Sequence, residues 1–112
     1  MPSFKKLSPL LVLAVLLSSP AAFAGVVKAD AVVGMFGFDW LNNPQNAKCA
    51  EVTKEGAAKF KTCTYAAAGD TGSFSGNADY YKCQVSEKSE LMIYKTKARC
   101  TEELEIMKSN GD

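Results

Sequence analysis

The sequence predicts a small α+β domain stapled by disulfides. Three observations predict it. Residues 79–111, DYYKCQVSEKSELMIYKTKARCTEELEIMKSNG, read as strand, tight turn, strand and amphipathic helix. The cysteines number four, Cys49, Cys63, Cys83 and Cys100, an even count in a 112-residue chain. The N-terminus carries the parts of a secretory leader, which places those cysteines in an oxidising compartment. The expected element order is β-α-β-β-α, with a short antiparallel sheet packed by helices.

The leader comes first. Lys5 and Lys6 give a basic start, residues 7–17 (LSPLLVLAVLL) are largely apolar, and Ala22-Phe23-Ala24 is a small-x-small cleavage site. The apolar run is too short and wrongly flanked for a membrane span, so no stable membrane insertion is expected after cleavage. The expected division is a signal peptide at 1–24, a partly irregular N-terminal segment at 25–46 and the disulfide-containing domain at 47–112. Cleavage leaves 88 residues, one small domain whose core alone is marginal. It removes two of the thirteen basic residues and none of the twelve acidic ones, leaving a net charge of −1. A near-neutral chain without charge blocks gives no electrostatic case for nucleic acid.

Residues 25–44, GVVKADAVVGMFGFDWLNNP, fit neither helical nor strand period. The first few are expected to be loose. Residues 36–41 carry too many large apolar groups for a solvated tail and should pack on the domain, as a short helical turn entered at Asp39. Asn42-Asn43-Pro44 ends that piece. Residues 47–52 (AKCAEV) read as a strand, and Thr53 as the N-cap of a helix over 54–62. The competing reading starts a helix at Asn43 with Pro44 in its first turn and runs through Cys49. Residues 66–77 (AAAGDTGSFSGN) are a Gly/Ser/Thr-rich loop whose one large apolar side chain is Phe74.

The hairpin follows. Tyr81, Cys83 and Val85 share one face of the first strand, and Tyr80, Lys82 and Gln84 the other. Residues 86–89 form a four-residue turn, which sets Cys83 opposite Met92. Leu91, Met92, Ile93 and Tyr94 are consecutive, the mark of a strand covered on both faces. Thr96 caps a helix over 97–110, with Gly111 just past its end. Cys100, Leu104 and Met107 make the buried stripe of that helix, with Ile106 at its edge.

Four cysteines allow three pairings. Two β/α pieces that each climb and return favour Cys49–Cys63 with Cys83–Cys100. The nested pairing, Cys49–Cys100 with Cys63–Cys83, is the main competitor.

The chain contains no histidine, so no Ser-His-Asp or Cys-His arrangement can be built from it, and common zinc sites lose their usual ligand. No C-x-x-C spacing occurs, which argues against redox chemistry. Gly72-Ser73-Phe74-Ser75-Gly76 has Phe where a nucleophile elbow needs serine, and the loop lacks calcium and phosphate-loop ligands. Glu102, Glu103 and Glu105 read as a solvated face near the positive end of the last helix. No cofactor and no metal are expected.

Nine aromatics after residue 24 can fill a small core, with some left for recognition. Trp40, Phe74 and Tyr80 are the candidates to contact a partner. The expected function is therefore a small exported protein, periplasmic or secreted. It is not an enzyme but a binding or structural module for a protein or a cell-envelope component such as a glycan. The alternative is an exported enzyme inhibitor acting through the 66–77 loop. A carboxylate-based hydrolase using Glu102, Glu103 and Glu105 is the third reading.

Overall fold

The structure is a computed structural model, and it describes residues 25–69 and 74–110. The expected leader at 1–24, the middle of the 66–77 loop and Gly111 lie outside the described residues. Within them runs β1 (Gly25–Val27), a 3-10 turn (Ala29–Val32), β2 (Phe36–Asp39), a second 3-10 turn (Pro44–Asn46) and β3 (Ala50–Glu51). Then come α1 (Lys54–Ala57), β4 (Thr62–Ala66), β5 (Tyr80–Ser86), β6 (Ser89–Tyr94) and α2 (Lys97–Asn110). The six strands form one antiparallel sheet in the order β1-β4-β5-β6-β2-β3. This is a small α+β architecture with two disulfides.

The expected β-α-β-β-α order needs correction. The first few residues of the 25–46 segment are not loose, because β1 pairs with β4, and residues 36–39 do pack on the domain, as β2 between β6 and β3. Residues 36–39 are a strand rather than a helical turn. They alternate Phe36 and Phe38 to one face and Gly37 and Asp39 to the other, the strand period. The helix expected over 54–62 stops at Ala57. Its N-cap is as expected, with the Gly56 amide donating to Thr53 Oγ1 at 3.0 Å. The β-branched and aromatic run Thr62-Cys63-Thr64-Tyr65 suits a pleated surface better than a helix and becomes β4. The competing helix through Cys49 is only the Pro44–Asn46 turn, entered by Asn43 in the left-handed region at φ 54°.

Both faces of the sheet are covered. On one, α2 lies over β2 and β6. Phe38, Tyr80, Met92 and Tyr94 of the sheet meet Cys100, Leu104 and Met107 of α2 there. On the other, the Ala29–Val32 turn and α1 place Val32, Val52 and Ala57 against Cys63, Cys83 and Ile93. β6 serves both layers, as its continuous apolar run predicts: Met92, Ile93 and Tyr94 are all buried. Gly37 pairs with Ile93 at a point where a Cβ would meet Ile93 Cγ1 at 2.7 Å and the Met92 carbonyl at 2.8 Å. Only glycine lets β2 come this close to β6.

The hairpin register differs by one residue from the expected one. Cys83 faces Leu91, and Lys82 faces Met92. The turn is tighter, with Ser86 paired to Ser89, and a register shift between Gln84 and Ser86 takes up the difference.

The favoured cysteine pairing is also overturned. The bonds are Cys49–Cys100 and Cys63–Cys83, the nested arrangement. The favoured pairing put Cys63 on a helix returning to Cys49. Cys63 instead lies on β4, directly opposite Cys83 on β5, with Cα atoms 4.1 Å apart. Cys49 precedes β3 at the far edge and reaches Cys100 under α2. One bond thus staples each face.

Non-reducing peptide mapping should link Cys49 to Cys100 and Cys63 to Cys83. In the chain-entropy model, removing the bond of sequence separation 51 costs about 4 kcal/mol and that of separation 20 about 3 kcal/mol. Urea denaturation of the two double Ser variants should rank them in that order.

Candidate functional site

Trp40, Phe74 and Tyr80 were the residues predicted to face a partner. The structure gathers all three on the α2 side of the sheet. Tyr80 is only 4 % exposed, because α2 covers the face of β5 that the hairpin pattern left to solvent. It is a core residue, not a surface contact. Trp40 and Phe74 are half-buried against each other, ring centroids 6.3 Å apart and edge to face. Phe74 also packs on Phe38 at 6.0 Å. The Trp40 indole N–H donates to Glu90 Oε1 at 2.9 Å, which satisfies its one polar atom. Both aromatics are largely committed to holding the domain together.

The expected solvated carboxylate face is also only partly right. Glu102 and Glu105 are exposed, but Glu103 is fully buried. Its Oε1 accepts the Ser75 amide at 3.1 Å, and Arg99 stands 4.0 Å from its other oxygen. This bond ties the end of the 66–77 loop to α2 and seats Phe74 on the core. Beside it, the Tyr94 hydroxyl is buried with no hydrogen-bond partner among the described residues. Burial, then the nearby Glu103 and Tyr80, push that hydroxyl well above the usual tyrosine range. The Glu103 carboxyl thus has a structural role, joining the loop to α2.

The other side of the sheet offers an open cavity that no local pattern announced. It is a groove of about 380 Å³ between the ends of β2, β5 and β6 and the wall made by β3 and α1. Val52, Phe60, Val85 and Leu91 supply its apolar surface, and Gly37 leaves its floor without a side chain. Lys48, Glu51, Thr53 and Lys59 stand on its exposed rim. A concave, mostly apolar site of this size with a few polar groups has the dimensions of a small-ligand pocket.

Asp39 lies at one end of the groove and is fully engaged. The Ser89 hydroxyl donates to its Oδ2, and the amides of Leu41, Asn42 and Glu90 donate to Oδ1 at 2.9, 2.8 and 3.4 Å. Burial works against its charge, but the hydrogen bonds outweigh it and hold the carboxyl below the ordinary carboxylate value. Asp39 therefore shapes the end of β2 and is not a free acid.

Among the described residues, no group of three or more His, Cys, Asp or Glu is placed to hold a metal ion. No described helix is long and apolar enough to cross a membrane. No protein-family model, curated protein or solved structure gives a significant match to this chain, so the functional reading rests on geometry.

Tyr94→Phe removes a buried hydroxyl that has no partner among the described residues, so it should leave stability at pH 7 unchanged or raise it by about 1 kcal/mol. Because the folded hydroxyl titrates above its ordinary value of 10.0, the wild type keeps its stability below pH 10 and loses it as pH rises beyond. The Phe variant should lose less over that range in urea melts. A loss of more than about 1 kcal/mol at pH 7 contradicts this assignment.

Proposed function

We propose that this chain is a small exported, non-enzymatic binding module, periplasmic or secreted. It receives an apolar group of a protein or cell-envelope component in the groove beside Leu91. The groove is the observation that carries the reading: it is open, apolar within, charged at the rim and already formed. Export is supported by the leader pattern at 1–24 and by two disulfides, which are typical of exported proteins. The non-enzymatic reading is supported by the missing histidine and by carboxylates that are either solvated or engaged with backbone and hydroxyl donors.

The inhibitor reading draws less support. An inhibitory loop presents a side chain to a cleft, whereas Phe74 is turned onto Trp40 and Phe38, and Glu103 holds Ser75 beside it.

Binding of an uncharged solvatochromic dye, Nile red, tests the groove directly. The dye should bind one per chain with a blue shift. Ala50→Trp, at an exposed strand position on the groove wall, should weaken it about tenfold or more with little change in melting temperature. A dye that does not bind, or binds the variant equally well, removes the reading.

A further inference from the structure

We propose that Tyr65 and Tyr81 form an oxidative modification site, joined by one-electron oxidation into a dityrosine cross-link within the chain. The site lies on a different part of the sheet from the groove and does not depend on it.

The register puts the two side chains together. Tyr65 on β4 is directly opposite Tyr81 on β5, two positions from the opposed pair Cys63 and Cys83. Opposed pairs two residues apart are of the same kind in an antiparallel ladder. Cys63 and Cys83, with Cα atoms 4.1 Å apart, are of the closer kind. Tyr65 and Tyr81 therefore share that close spacing and, by the strand period, that face. Their ring centroids are 5.0 Å apart with planes inclined by 52°, the geometry of a packed aromatic pair. The chain has four tyrosines, and Tyr80 and Tyr94 are buried in the α2 core. The two that solvent reaches are the two in contact. A proton acceptor is also in place. The Tyr65 hydroxyl donates to Asp79 Oδ2 at 3.3 Å, and the Lys95 ammonium holds the same oxygen at 3.5 Å.

The chemistry balances with hydrogen peroxide and a haem peroxidase as the oxidant. Each phenol gives up one electron and its hydroxyl proton, that of Tyr65 by way of Asp79, and becomes a phenoxyl radical. The two radicals join through one ortho carbon each. The hydrogens on those carbons move to the oxygens and restore both phenols. The two electrons and two protons released reduce one peroxide to two waters. The product is a carbon–carbon staple beside Cys63–Cys83 that a reductant does not open. Contact within the chain makes the coupling unimolecular, so it outruns coupling between dilute chains.

Treatment of the dilute, disulfide-intact protein with a haem peroxidase and hydrogen peroxide tests the proposal. Blue dityrosine fluorescence should appear in the monomer, with a yield per chain unchanged on dilution and a mass lower by two hydrogen atoms. After reduction and cleavage before Asp79, the linked peptides should carry Tyr65 and Tyr81. Tyr65→Phe and Tyr81→Phe, both at half-buried positions, should each lower the monomer's yield about tenfold or more. In reductant, the cross-linked chain should melt above the untreated one. Dityrosine found only between chains, or an unchanged monomer yield in either Phe variant, overturns the proposal. Asp79→Asn should slow formation of the link, and an unchanged rate overturns the part given to Asp79.

Discussion

The burial of β6 on both faces is the constraint on which the rest of the molecule depends. Met92 and Tyr94 point to the α2 layer, and Leu91 and Ile93 to the opposite layer. A strand with large apolar groups on both sides cannot face water on either. It must lie inside the sheet and be covered twice. That need places β2 and β5 as its neighbours and calls in α2 on one side and the Ala29–Val32 turn with α1 on the other. The second layer is thin, built from short pieces, and this is where the groove opens. α2 by contrast is long enough to close its side, with Glu103 and Phe74 sealing the corner.

The disulfides follow the same division. Cys49–Cys100 ties the β3 edge to α2, and Cys63–Cys83 joins two strands beneath the thin layer. In a domain this small the core by itself is marginal, and a staple on each face adds the stability it lacks. The Asp39 cluster does a similar service with hydrogen bonds. By accepting from Ser89 and from the Glu90 amide, it fastens the end of β2 to the start of β6 and fixes the floor from which the groove rises.

The hairpin and last helix were legible in the sequence because their signals are local. The alternation of Tyr81, Cys83 and Val85, the run from Leu91 to Tyr94 and the Thr96 cap all act within a few residues, and the Arg99 amide does donate to Thr96 Oγ1. The strands at 25–27 and 36–39 were not legible. Each is short and bordered by glycine or by turns, and each needs a partner strand more than 35 residues away, β4 for the first and β6 for the second, although β3 also flanks the second. The cysteine pairing failed for the same reason: it depended on β4, whose register with β5 no local pattern encodes. Glu103 had a signal that went unused, since it falls on the Cys100, Leu104, Met107 face at helical spacing. The groove had none, because its walls come from four separated parts of the chain.

Trp40 and Phe74 stood out in the sequence as surplus aromatics, and the fold spends them on its own core. The thinner side of the sheet keeps an uncovered apolar surface, with small residues and lysines around it. Hydrogen–deuterium exchange resolved by residue tests the central claim most directly. The amides of β6 at Met92, Ile93 and Tyr94 should exchange only through global unfolding, and those of the edge strands β1 and β3 orders of magnitude faster. Exchange in β6 as fast as in β1 would contradict a sheet organised around a doubly covered central strand.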